Sequence, residues 1–352
     1  MEYSCLLQPS THEYTLTFLS SHWLLAWMGL EISTLAILPL MAQHHHPRAS
    51  EATTKYLLIQ ACATGMLLFA TALNAWMDMM WNIVEMKDSI AIALATLALA
   101  LKLGLAPFHF WLPEVMQGLD LTTGLILSTW QKLAPFALLF QISHATLPNL
   151  LTAIGLTSAA LAAWGGLNQT QLRKILAYSS TAHLGWMIIV IQYSPNLAMM
   201  SLGIYIFMTM AAFLILKETS STKISVLSLS WSKSPMMAVT LILILLSLAG
   251  LPPLTGFMIK WYILEEMTKQ SMTLSATLIV MTALISLYFY IRLGYFTATL
   301  QLLPSFPTQQ KSKHYDVEKT NKTKSHYATV TTVALTFLPM APLIVALANS
   351  YA

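Results

Sequence analysis

Four charged residues stand inside long apolar runs, where no water is at hand to solvate them: Glu31, Lys102, Lys132 and Lys260. Glu31 is the tenth residue of His22–Met41, Lys102 lies near the middle of Ser89–Leu112, and Lys132 sits at the centre of Thr122–Ile142. Lys260 lies in the later half of a long interrupted run. A charge at the centre of a bilayer costs about 2.5–3.5 kcal/mol on insertion scales, so each of the four needs a reason to be there. A lysine can snorkel to the headgroups along its own stem, but ten residues of helix rise about 15 Å. That is too far for Lys102 and Lys132, whereas Lys260 stands nearer the end of its run. A static ion pair is a second reason, open to Glu31 with Lys102. Proton exchange is the third, because desolvation penalises the charged form of lysine and glutamate alike and narrows the gap between holding and releasing a proton.

Two of these runs carry helix breakers beside the lysine. One reads Lys102-Leu103-Gly104-Leu105-Ala106-Pro107-Phe108-His109-Phe110-Trp111; the other reads Ala249-Gly250-Leu251-Pro252-Pro253-Leu254-Thr255-Gly256-Phe257-Met258-Ile259-Lys260. Proline removes a backbone donor and clashes with the turn before it, so both helices are expected to be interrupted. Breakers at matching places in two halves mark an inverted-repeat transporter with its ion site at the breaks; a plain proline kink explains one such run better than two. His183, amid the hydroxyls of Ser179, Ser180 and Thr181, is a candidate proton relay and equally a hydrogen-bonded packing histidine. His109, beside the first break, is read in the same two ways. The triplet His44-His45-His46 has no ligand spacing for a closed metal shell and reads as a solvated loop.

The elements that position these groups follow from composition. The chain of 352 residues is 9% charged and 56% hydrophobic, against about 25% charged in a soluble domain. Its apolar runs are continuous, not alternating, and long enough to cross a hydrocarbon core of ~30 Å as helices. Spans are expected at about 22–41, 54–75, 89–112, 122–142, 148–166, 175–192, 197–216, 236–266, 272–291 and 328–348. Residues 1–20, broken by Glu2, Pro9, His12 and Glu13, are counted as an uncertain first helix. The result is an all-α polytopic membrane bundle of about eleven spans.

Charge placement supports this map, since Lys and Arg gather on the side of synthesis. Of 18 basic residues, thirteen fall on one set of loops: Arg48, Lys55, Arg173, Lys174, Lys217, Lys223, Lys233, Arg292, Lys311, Lys313, Lys319, Lys322 and Lys324. Lys87 and Lys269 fall on the other set, and the three intramembrane lysines complete the count. The loops 42–56, 167–174, 217–235 and 292–327 are therefore expected to share one side. Cys5 and Cys62 show no CxxC spacing, and neither GxGxxG nor a Walker loop is present. No metal, nucleotide, flavin or redox centre is expected on this chain, nor a nucleic-acid partner; its chemistry is ionic. The N-terminal residues carry no secretory or transit signal, which fits synthesis inside an organelle. The 21 methionines and 10 tryptophans read as lipid-facing bulk and interfacial anchors.

His22-Trp23-Leu24-Leu25-Ala26-Trp27-Met28-Gly29-Leu30-Glu31, the loop Pro47–Tyr56, the Lys102–Trp111 run with Leu112-Pro113-Glu114, Gln131-Lys132-Leu133-Ala134-Pro135, Gly165–Lys174 and Leu251–Phe257 together resemble the subunit 2 family of respiratory complex I, the proton-pumping NADH:ubiquinone oxidoreductase. The resemblance covers roughly residues 20–300. It implies an antiporter-like fold of inverted repeats with two broken helices, here 22–142 and 148–291. A hydrophilic connector over 292–327 and a C-terminal helix over 328–348 would complete one membrane domain spanning 1–352. It also implies a mitochondrial inner-membrane location, other membrane subunits of the complex and the lipid bilayer as partners, and no cofactor on this chain. The complex as a whole implies NADH, FMN, iron–sulfur clusters and ubiquinone. By the same resemblance Glu31 matches a glutamate at a subunit interface, Lys102 the central proton-holding lysine, Lys132 a linking lysine, and Lys260 the lysine toward the exit. The polar residues 1–18 depart from the apolar first helix of that family. Two other functions fit the same charges: a stand-alone cation/proton antiporter subunit, and a passive scaffold whose buried ions fix helix register.

Overall fold

A computed structural model describes residues 15–43, 46–227, 235–252 and 254–299. The expected C-terminal helix at 328–348, the connector from 300 on, residues 1–14, His44 with His45, and Lys233 of the 217–235 loop lie outside the described residues. The described residues form twelve α-helices of eight residues or more, in chain order α1 Trp23–Ala42, α2 Pro47–Asp78, α3 Ser89–Leu103, α4 Trp111–Gly118, α5 Leu121–Ser128, α6 Leu133–Ile142, α7 Pro148–Gly166, α8 Leu172–Ile191, α9 Pro195–Glu218, α10 Pro235–Ala249, α11 Thr255–Lys269 and α12 Thr273–Thr299. Residues 15–19 are also helical. The described residues hold two isolated bridges and no strand. Six helical segments among them are long and apolar enough to cross a membrane, α5 to α6 counting as one segment, and α3 and α10 are shorter apolar helices.

Contacts between loops sort into two ends. At one end Arg173 donates to the Leu119 carbonyl, Gln171 bridges Lys223, and Arg292 donates to the Leu167 carbonyl at 2.7 Å. At the other, Trp23 N–H bonds the Trp81 carbonyl at 3.0 Å and Gln192 bonds the Thr146 carbonyl at 3.1 Å. The described parts of the basic loops thus lie together, as their charges require.

α8 runs through the middle, with 83% of its most apolar stretch buried, whereas α12 has 28% buried and faces outward. Exposed Trp76, Trp164 and Met281 on outer helices fit lipid-facing positions, but the reading of all tryptophans as anchors fails. Trp23, Trp111 and Trp186 are buried at 1%, 6% and 5% exposure, because their large rings fill gaps between helices as well as they fill an interface.

Both expected interruptions are present, built the same way. Gly104 (φ +75°) and Gly250 (φ +85°) adopt the left-handed conformation that favours glycine. Around them Leu105 N–H donates to the Ala100 carbonyl and Gly104 N–H to Leu101, matched by Leu251 to Leu246 and Gly250 to Ser247. This is a Schellman closure. The chain enters the first break from the end holding Trp81 and the second from the end holding Lys223, so the two broken helices run in opposite senses.

Several boundaries differ from expectation, among them α4, which carries helix to Gly118 where the span was expected to end at 112. α2 begins at Pro47, a favoured first position with His46 accepting from the Arg48 N–H, so the polar stretch to Tyr56 is helix and not loop. α12 continues past 291 to Thr299 because no proline stops it before Pro304. The run 122–142 is itself interrupted, by a 3-10 turn at Trp130–Lys132. Ser128 and Thr129 hydroxyls bond back to the Leu125 carbonyl at 3.0 and 2.7 Å, competing with the ladder, and Pro135 cannot donate to the Gln131 carbonyl four residues before it.

Candidate functional site

Lys102 closes the last turn of α3 and is 6% exposed; Lys132 ends the 3-10 turn and is 4% exposed. Neither snorkels. Together they line one cavity of about 20 Å³, with Ser33, Tyr56, Gln60 and Gln131 among its walls. Such a volume admits about one water molecule. The carbonyls freed at the end of α3 are met by neutral donors: Trp111 Nε1 to Leu101 at 3.3 Å and Gln60 Nε2 to Lys102 at 3.5 Å. The Lys102 ammonium itself has no hydrogen-bond partner among the described residues.

Glu31 is half-buried on α1, and its Oε2 is buried without a hydrogen-bond partner. Its charge acts on Lys102, yet among the described residues the two form no ion pair. The ion pairs among the described residues belong to Lys55 and Lys269, both exposed.

Lys260, in the second turn of α11, reaches back across the second break. Its Nζ donates to the Ala249 carbonyl at 2.8 Å and lies 5.8 Å from the centroid of the Trp186 ring. A second cavity of about 20 Å³ is lined by Lys260, His183, Trp186, Tyr205, Met208 and their neighbours. His183 on α8 lies against the Leu248 carbonyl, and the fields of Lys260 and Lys132 both reach it. Its ring is 5.5 Å from that of Tyr205.

Four of the six candidate residues are therefore gathered around two small cavities. Glu31 stands beside the first, on the helix that supplies Leu30, Ser33 and Thr34 to its wall. His109 is buried at 3% but lines neither; it packs 4.3 Å from Phe110 and edge-on at 6.2 Å to Tyr178. Sequence reasoning missed Gln60, Gln131 and Tyr205, since neutral polar side chains in an apolar run carry no charge to flag them. The spacing of Ser128, Thr129 and Pro135 around Lys132 did carry a signal for the third interruption.

At the basic end a polar cleft of about 340 Å³ is lined by Arg48, Glu51, Lys55, Glu114 and Lys174. There Lys55 binds Glu51 at 2.7 Å and Glu114 at 2.8 Å, tying α2 to α4.

Helices interrupted around buried lysines, in two opposed runs, define a polytopic membrane bundle of the antiporter-like class. Residues 20–286 match the family described as NADH:quinone oxidoreductase/Mrp antiporter, TM. The chain belongs to that family. NADH-ubiquinone oxidoreductase chain 2 of Cyprinus carpio is 61% identical over 333 residues, covering 95% of this chain and 94% of its own length. The protein of the same name from Scyliorhinus canicula is 56% identical over 338 residues, with 95% and 94% covered. Among solved structures, a chain of respiratory complex I from Thermus thermophilus with bound aureothin matches with TM-score 0.81 at 25% identity, over 95% of this chain and 78% of that one. A chain of the Mrp complex from Dietzia sp. DQ12-45-1b shares the fold, with TM-score 0.73 at 18% identity over 82% and 59%.

Proposed function

We propose that this chain is a proton-translocating membrane subunit of an NADH:ubiquinone oxidoreductase, crossing the mitochondrial inner membrane several times and carrying no redox centre of its own. The names of the relatives with 56–61% identity supply the complex and the compartment. The observation that supports the transport role is that Lys102, Lys132 and Lys260 are gathered around two small cavities at interrupted helices, none of them in an ion pair among the described residues. A scaffold ion would be expected to have its counter-ion beside it. A group that must take up and give back a proton needs a route for water instead.

In this reading residues 22–142 and 148–291 are the inverted repeats. Lys102 is the central proton-holding group, Lys132 links it to His183, and Lys260 delivers toward the exit. Glu31 lies toward a neighbouring subunit and modulates Lys102 through its field. His109 is a secondary relay beside the first break. NADH, FMN, iron–sulfur clusters and ubiquinone belong to other subunits, which with the bilayer are this chain's partners. Protons enter from the basic side and leave at the opposite end. Turnover elsewhere in the assembly shifts the charge balance along this file.

Lys102→Met tests the assignment, because it keeps length and apolar packing and removes the exchangeable proton. The complex is expected to assemble and to lose the share of proton translocation carried here, with quinone reduction falling only as far as it is coupled. Lys102→Arg is expected not to restore it, since a guanidinium does not release its proton at working pH. Assembly with an unchanged proton-to-electron ratio in Lys102→Met would remove Lys102 from the path.

A further inference from the structure

The two cavities share no lining residue, so a proton leaving Lys132 must cross a wall to reach His183 and Lys260. That wall contains Tyr205, on α9. Its ring is 3% exposed and it lines the second cavity. Its hydroxyl lies 3.4 Å from Lys132 Nζ, and Lys132 lines the first. The same hydroxyl donates at 3.3 Å to the Ser128 carbonyl, at the end of α5 where helix carbonyls lack intrahelical donors. The Lys132 ammonium also stands 5.2 Å from the centroid of the phenol ring. The third interruption thus places both an amine and a helix-end carbonyl against one phenol, and the phenol against the next cavity.

We propose that Tyr205 is the proton-transfer residue joining the two cavities, resting on the reading of Lys132 as a proton carrier. A phenol is donor and acceptor at one atom. When Lys132 carries a proton, its N–H donates to the Tyr205 oxygen. The phenol proton turns from the Ser128 carbonyl toward a water in the second cavity. In the transfer the N–H bond of Lys132 breaks and an O–H bond forms on Tyr205. The original O–H bond of Tyr205 breaks in the same event and its proton joins the water, making a hydronium that passes a proton to His183 or the neutral Lys260 amine and returns to water. Lys132 ends as a neutral amine, Tyr205 is a neutral phenol before and after, and no oxidant or reductant is involved. Rotation of the hydroxyl back to Ser128 resets the relay and leaves no continuous chain between the cavities. Uncoupled leakage is limited by that reset.

The experiment compares intact complexes carrying Tyr205→Phe, Tyr205→His and Lys132→Met in sealed vesicles, reading the proton-to-electron ratio and quinone reduction together. Phenylalanine keeps the ring and its packing against His183 and removes the hydroxyl. The ratio is expected to fall to that of Lys132→Met, and histidine, which keeps a donor and an acceptor on a ring, is expected to recover at least half of the loss. A normal ratio in Tyr205→Phe beside a lowered one in Lys132→Met overturns the relay and leaves the proposed function standing. Normal ratios in both overturn the proposed function with it. Should Tyr205→Phe fail to assemble, Tyr205→His decides: more than half the normal ratio supports the relay, and an assembled complex pumping no better than Lys132→Met overturns it.

Discussion

The two broken helices obey one rule of backbone chemistry and use it to opposite ends. At the first break the lysine precedes the glycine, and neutral donors from Trp111 and Gln60 occupy the carbonyls at the end of α3. Lys102 is left facing a cavity. At the second break the lysine follows the glycine, and Lys260 itself occupies the Ala249 carbonyl. Lys260 is thus held by one hydrogen bond at the wall of its cavity, whereas Lys102 stands at the wall of its own cavity without one. With three N–H groups on the ammonium, Lys260 can keep its Ala249 bond and still give up a proton to the cavity it lines, whereas Lys102 lines its cavity without such an anchor.

The largest expected effect concerns the second break alone. A Cβ on Gly256 would run into the Ser247 carbonyl oxygen, and overpacking against backbone costs about 3 kcal/mol at the upper end of its usual range. Gly256→Ala should reduce the amount of assembled complex on a native gel several-fold; normal amounts would mean that α10 and α11 can part without penalty.

Next in size, Lys260→Met removes a charged hydrogen bond of about 1.5–3 kcal/mol, whereas Lys102→Met removes none. Thermal inactivation of the complex should come at lower temperature in Lys260→Met and not in Lys102→Met. Equal shifts would erase the distinction between a held and an available lysine.

A smaller contrast is expected between the glycines. Alanine at Gly104 or Gly250 meets the same left-handed backbone, at about 1–2 kcal/mol. At Gly104 the new methyl meets Leu112 Cδ1 at 2.9 Å; at Gly250 it meets Lys260 Cδ and Nζ at 3.0 Å. Stability should fall alike in both, and the proton-to-electron ratio should fall further in Gly250→Ala. The reverse order would place the functional strain at the first break. Smallest of all, Lys55→Ala removes an exposed pair with Glu51 within α2 and the exposed pair with Glu114 that joins α2 to the resumed half of the first broken helix. Exposed pairs contribute little, so heat inactivation should not move measurably, at low salt or high; a clear loss would make α4 depend on its surface contacts.

Much was legible in the chain itself. Continuous apolar runs require helices where the backbone has no water, four charges inside them stand out by cost alone, and Gly104 and Gly250 with their prolines announce breaks because few other residues tolerate those conformations. The loops' basic residues also ordered the two ends. Only the tertiary structure decided which carbonyl each lysine meets, because a side chain of four carbons can reach several partners and packing selects one. It likewise decided that Trp111 and Trp186 line cavities and that Tyr205 stands between them. The third interruption lay between these two cases: Ser128, Thr129 and Pro135 each weaken a helix, but their sum could be judged only once the Lys132 turn was seen packed against α9. Local chemistry sets where a helix can fail, and the neighbours that pack against the failure determine what it is used for.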